Sequence, residues 1–331
     1  MPRVRELEVF RLVLPYGRRL ESLLVRLTDH GGMVGWGEAV EPDPKTWARL
    51  GETLGAQLIG VDWEHPDSVR SGDSAVDMAC WDLWTRMRGV PLAHALGGSR
   101  TSLMATVRLT PDPSLDSLVT RVNQQVCGGY GHVTLDVRPG WDVEPVRAVR
   151  LAFPALTLAV DCGGAYTDSE QLVALDSYGV EVIERPFAVS DAYAHAALQD
   201  QVGAKVAVET TDLDDYLTLR AARALILRPT AYASLSEARR AHDKAAAAGW
   251  DIQCTGGRGA GLARAATVAV ASLPGCTLPC DVTQPPRNAQ IVTPAVGAAG
   301  GIVAVPFTQP GLGHIIDEDR VRRFATDSFT A

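Results

Sequence analysis

Three acidic residues close three successive short apolar runs. Leu156–Val160 is followed by Asp161, Val180–Ile183 by Glu184, and Val206–Val208 by Glu209. The acids stand 23 and then 25 residues apart, about one strand–helix unit each. Parallel strands repeated at that pitch would place the three side chains together on one rim. Carboxylates gathered there repel one another unless a cation lies between them. Hard oxygen ligands in that number suit Mg²⁺ or Mn²⁺. The pattern therefore predicts a metal site, and an active one.

The elements that must position these acids follow from periodicity. Strand-like runs at 103–109, 132–137, 157–160, 180–183, 206–208, 225–227 and 252–254 are each followed by a helical stretch. The helices are expected to start near Leu115, Asp142, Asp168, Asp191, Leu213, Ser234 and Gly261, with an irregular eighth unit near Thr277–Cys280. Repeated βα units argue for a parallel sheet, and eight of them for a closed barrel. A doubly wound open sheet is the alternative, although no G-x-G-x-x-G follows any strand. Before these units the chain differs. Leu7–Leu14 and Leu23–Leu27 flank a polar loop, Tyr16-Gly17-Arg18-Arg19, and Asp29-His30-Gly31-Gly32 turns into Val34–Val40. Helices are expected over Thr46–Ile59 and Ser74–Arg88, the second stopped by Gly89 and Pro91. Gly97-Gly98-Ser99 marks a boundary.

At 331 residues, 46% hydrophobic and 21% charged, the composition is that of an ordinary soluble globular protein, and the βα repeat gives its fold class as α/β. A formal charge of −8 argues against nucleic-acid or anionic-membrane partners. No run reaches membrane-spanning length, and Met1–Glu6 carries no signal-peptide core. Six cysteines without a C-x-x-C pair fit free thiols in a reducing cytoplasm. A small-molecule partner and a cytoplasmic location are the expectations, with a homo-oligomer left open. Lysine occurs only at 45, 205 and 244.

These residues resemble the enolase superfamily in its muconate-lactonizing branch. Within it the sequence is most similar to o-succinylbenzoate synthases, N-succinylamino acid racemases and dipeptide epimerases. Leu24–Thr28 through Val34–Ala39 resembles the capping hairpin, Ala75–Leu83 the helix before the barrel, and Pro310–His314 with Asp317–Asp319 the C-terminal return. The resemblance implies a modified (β/α)7β TIM-type barrel at 101–309 under an α+β capping domain at 1–100, completed by 310–331. It also implies that Asp161, Glu184 and Glu209 bind Mg²⁺ or Mn²⁺, although the third falls in Glu209-Thr210-Thr211 where relatives carry Asp-Glu-Ser.

The catalytic bases depart from that pattern. Thr134 and Asp136 stand at the positions of the second-strand lysines, and Arg228 replaces the lysine that ends the sixth strand. Gly256-Gly257-Arg258-Gly259 occupies the loop after the seventh strand, where a glutamate is often found. Arginine stays protonated at any working pH and cannot be a general base. Two-base racemisation is therefore disfavoured. Syn elimination needs one acid/base on one face, so Asp136 is the expected base and Arg228 the stabiliser of a developing enolate. Neighbouring acids would raise the Asp136 pKa and Arg228 would lower it. Arg18 and Arg19, in a loop that covers substrate in this family, are candidates to grip a carboxylate. Thr134, Tyr166, Tyr232 and His314 are candidate pocket residues. Asp281 is expected to be structural, and His132, His195 and His242 to pack. The leading reading is a metal-dependent lyase or cycloisomerase acting through an enolate. A silent relative that keeps the fold, and a different reaction on the same scaffold, remain as alternatives.

Overall fold

The computed structural model describes residues 1–50, 55–256, 258–282 and 285–331, without the side chains of Arg18, Pro44, Ala56 and Arg287. Its centre is a sheet of seven parallel strands hydrogen-bonded in chain order. They run Val107–Leu109, His132–Asp136, Thr157–Asp161, Val182–Glu184, Lys205–Val208, Ala224–Leu227 and Asp251–Cys254. Packed from both sides, these strands are almost continuously apolar rather than alternating. Ala224–Leu227, for example, is buried at every position.

An eighth stave closes the ring. Cys280 bridges to Ala105 beside the first strand, and Asp281 bridges to Thr255 beyond the seventh. The Asp281 N–H donates to Cys254 O at 2.9 Å and the Cys280 N–H to Met104 O at 2.8 Å. The expected irregularity of this unit is its shortness: two residues close the barrel.

Helices follow the strands, and short polar side chains fix where several of them begin. Asp191 accepts from the Ala194 N–H at 2.9 Å, and Ser234 from the Glu237 N–H at 3.1 Å. The helix Leu235–Ala247 then buries Leu235, Ala238, Ala241, His242 and Ala245, a stripe at three- and four-residue spacing.

The capping sheet joins both chain ends, with Ala325–Thr330, Val4–Tyr16, Arg18–Asp29 and Val34–Val40 side by side. The helix Ser74–Arg88 begins at Asp73, whose carboxylate accepts the Ala75 and Val76 N–H groups, and ends at left-handed Gly89. It presses so closely on Val34–Val40 that a β-carbon on Gly37 would lie 1.9 Å from Ala75 O. Glycine is therefore required there.

Two expectations about the cap change. Tyr16–Arg19 is not an open loop: Tyr16 pairs with Arg18, and Gly17 at φ +80° is the whole turn. The alternation of buried apolar and outward polar residues continues to the tip, so the ladder does too. Within Thr46–Ile59, helix covers Pro44–Arg49 and Gly55–Leu58, while 51–54 lie outside the described residues.

Cap and barrel share buried carboxylates. Glu38 accepts from Ser22 Oγ at 2.8 Å, the Ala260 N–H at 2.5 Å and the Ala263 N–H at 2.9 Å. It thereby caps the start of the barrel helix Leu262–Ala271. Asp77 accepts the Leu235 N–H at 2.7 Å, while within the cap Asp82 accepts from the Trp36 and Leu312 N–H groups and so ties the two chain ends together. No helix among the described residues is long and apolar enough to cross a membrane.

Candidate active site

The predicted acids do meet at the strand ends. Asp136, Asp161 and Glu184 are register partners on the second, third and fourth barrel strands. Glu184 pairs with Ala207, so Glu209 stands two residues beyond that rung.

What lies among them is an arginine that the sequence reading passed over. Arg108, on the first strand, extends its guanidinium into the cluster. Its Nη1 donates to Asp136 Oδ1 at 3.1 Å and also to Asp161 Oδ2. Nη2 donates to Glu184 Oε2 at 2.8 Å, and Nε to Asp281 Oδ2 at 3.3 Å. One cation touches four carboxylates.

Two further arginines pair with Asp161 and Glu209. Arg185, a left-handed residue at φ 49°, donates from Nε to Asp161 Oδ1 at 3.0 Å and from Nη1 to Glu209 Oε2 at 3.1 Å. Arg228 Nε donates to Glu209 Oε1 at 2.7 Å. The cluster thus sets three guanidiniums against five carboxylates.

This arrangement pairs each acid of the expected metal trio with arginine. The facing oxygens of Asp161 and Glu184 are bridged by Arg108, and Glu209 is turned to Arg185 and Arg228. Among the described residues no three His, Cys, Asp or Glu side chains are arranged to hold an ion. As the side chains stand, Asp161, Glu184 and Glu209 do not fit Mg²⁺ or Mn²⁺.

Burial and arginine pull the carboxyls in opposite directions. Burial raises Glu184 to about 7 against the pull of Arg108. Burial also raises Asp136, with Arg108 again opposing. For the Asp136 base the balance falls toward burial, and the opposing arginine is mainly Arg108 rather than the expected Arg228. Asp161 is buried too, but its hydrogen bonds from Arg185 and the charges of Arg108 and Arg185 hold it below the usual carboxylate range.

Beside this cluster a cavity of about 470 Å³ is lined by Arg228, Arg258, Thr230, Thr255, Glu41 and Asp281, among others. Arg228 was expected here. Arg258 and Asp281 were not assigned to the pocket.

Several other candidates make hydrogen bonds within the framework. Tyr166 is buried and donates to Asp142 Oδ2 at 3.1 Å, steadying the cap of the helix Val143–Ala152. Tyr232 donates to Thr210 O at 3.2 Å from within the core. His314 makes a 2.8 Å hydrogen bond to Pro294 O, and burial lowers its pKa, so it stands as a neutral structural imidazole. Thr134 is fully buried, 3.0 Å from Thr106 Oγ1 and 3.5 Å from Glu184 Oε1, beneath the acids rather than at the surface of the pocket. Arg19 is exposed on the tight hairpin, where its charge acts on Glu21. The Arg18 side chain lies outside the described residues. Lys205 pairs with Asp251 at 2.9 Å where both strands begin, at the opposite end from the acids.

A seven-strand parallel ring closed by a short eighth stave, under a cap built from both ends of the chain, defines an α/β barrel, a class of fold whose active sites lie at the strand ends. The family model described as Enolase C-terminal domain-like matches residues 117–320. An o-succinylbenzoate synthase from Geobacillus stearothermophilus is 32% identical over 93% of this chain and 89% of its own length. An N-succinylamino acid racemase from Thermus thermophilus is 31% identical over 92% and 90%. A solved enolase-superfamily structure from Listeria innocua superposes with a TM-score of 0.90 at 25% identity, covering 100% of this chain and 99% of that one. The chain belongs to the enolase superfamily.

Proposed function

We propose that the chain is a lyase or isomerase of the o-succinylbenzoate-synthase-like kind, moving a proton on one face of a small carboxylate bound at the barrel mouth. The observation that carries this reading is the cavity beside the acid cluster. Arg228 and Arg258 bring positive charge to its wall, and Thr230 and Thr255 bring hydroxyl groups. Guanidinium groups suit bidentate capture of a carboxylate. Similarity to o-succinylbenzoate synthases over nearly the whole chain supports the reaction class.

The proton carrier is a carboxyl, because among the described residues the cations paired with the acid cluster are all arginines and arginine cannot release its proton. Asp136 is the assigned acid/base: it is 27% exposed, and burial raises its pKa toward a more useful basicity. With one such group on one face, elimination or isomerisation fits better than inversion. The paired acids offer a divalent ion no ligand set, so no step is assigned to one.

A second reading, a catalytically silent relative, is favoured by the charge balance. Five carboxylates against three guanidiniums oppose the negative charge that grows on an enolate. Proton NMR in D₂O with a panel of N-succinylamino acids separates the two. Exchange of the α-proton without inversion, abolished by Asp136→Asn, supports the enzyme. Calorimetric binding without exchange supports the silent relative. Inversion of configuration overturns both.

A further inference from the structure

We propose that Arg108 is the resident cation of this barrel mouth, filling the place between Asp161 and Glu184 and excluding a divalent ion from it. This inference is independent of the reaction proposed above. It rests on four contacts: Nη1 with Asp136 and Asp161, Nη2 with Glu184 at 2.8 Å, and Nε with Asp281 at 3.3 Å.

The chemistry is a substitution of one hard-oxygen partner for another. A divalent ion binds carboxylate oxygens at about 2.0–2.2 Å and needs their lone pairs directed at it. Here the Asp161 and Glu184 oxygens that face each other already accept N–H groups of a single planar fork. A guanidinium is permanently charged and tethered to the strand, so it keeps a positive charge among the acids at every working pH and cannot diffuse away. An ion introduced beside it would meet a like charge at close range in a partly buried setting, where Coulomb repulsion is weakly screened. Arg185 adds to the exclusion by gripping both Asp161 oxygens, Nε on Oδ1 at 3.0 Å and Nη2 on Oδ2, and by drawing Glu209 toward itself at 3.1 Å.

Shortening Arg108 should therefore create what the acids alone suggested. Arg108→Ala leaves Asp136, Asp161, Glu184 and Asp281 around a space the size of a guanidinium. That is an oxygen-rich ligand set of the kind hard cations take.

The test is Mn²⁺ binding followed by loss of the free-ion electron paramagnetic resonance signal and by calorimetry. The full-length protein should show no saturable binding. Arg108→Ala should gain saturable binding with at least about a tenfold rise in Mn²⁺ affinity, because an uncompensated buried acid cluster draws a cation strongly. Asp161→Asn in the Arg108→Ala background should remove that gain. Saturable binding by the unaltered protein that Asp161→Asn abolishes would overturn the proposal, as would a folded Arg108→Ala protein with no gain. Since the variant unpairs several acids, far-UV circular dichroism is recorded with and without Mn²⁺, alongside the neutral Arg108→Gln. Folding that Mn²⁺ restores supports the proposal. Folding lost in both variants and not restored by Mn²⁺ counts against it.

Discussion

Glu38 of the capping sheet accepts the Ala263 N–H of a barrel helix at 2.9 Å, across 225 residues of sequence. Both ends of this contact are buried, and the same carboxylate also accepts from Ala260 and Gly261. Three unpaired helix-start N–H groups are thereby satisfied by a single side chain from the other domain.

Removing that side chain exposes the cost. Glu38→Ala orphans the buried backbone donors and the Ser22 hydroxyl, and should destabilise the protein by about 3 kcal/mol. Glu38→Gln, which keeps one acceptor, should lose less than half as much. Urea unfolding measures both. Equal losses would mean that the carboxylate's second oxygen and charge dominate.

Gly37→Ala should be damaging although it adds a single methyl group. Its β-carbon would sit 1.9 Å from Ala75 O, so the helix Ser74–Arg88 must move off the sheet. A loss of about 3 kcal/mol is expected from overpacking. An unchanged melting temperature would show that helix and sheet separate more easily than their packing implies.

Asp77 makes stability depend on pH. Burial raises its carboxyl from 3.8 to about 7, against the Leu235 hydrogen bond. Because the folded-state value is the higher one, the folded protein favours the protonated acid. This contribution is fully present below pH 3.8 and is lost as pH rises to 7. The span corresponds to roughly 4 kcal/mol as an upper figure. Asp77→Asn should gain on the unaltered protein by a margin that grows from pH 4 to about pH 7 and then levels off in paired unfolding curves. Parallel curves would remove Asp77 as a source of the dependence.

Arg258→Ala should weaken binding of a small dicarboxylate about tenfold, the loss of one charge-assisted hydrogen bond at a partly open site. Isothermal titration at two salt concentrations checks it. Affinity that is insensitive to both the substitution and the salt would place the carboxylate elsewhere.

Much of the scaffold was legible in the chain because it is written locally. The helix Ser74–Arg88 announces itself by its apolar spacing and by the stop at Gly89 and Pro91. Asp142, Asp191 and Ser234 mark helix starts because a short polar side chain can accept an N–H group there. The gathering of Asp161 and Glu184 followed from the repeat alone. Arg108 was not legible in the same way. Its direction depends on pairing in register with Thr134 on the neighbouring strand, a relationship between segments 26 residues apart. A usable signal did exist: a lone arginine within the short first barrel strand, opposite too many acids. The hydroxyl of a tyrosine just past a strand end can turn to a backbone carbonyl or a helix cap as readily as to a pocket. Tyr166 and Tyr232 do so.

The closing stave has a consequence of its own. Cys280 and Asp281 are knitted to their neighbours by isolated bridges, whereas the other staves share longer ladders. Yet Asp281 also forms part of the cavity wall and steadies Arg108. The least securely stitched seam of the cylinder thus runs beside its binding chamber. Local opening there would be felt by an occupant and by the central guanidinium together, while the remaining staves keep their shape.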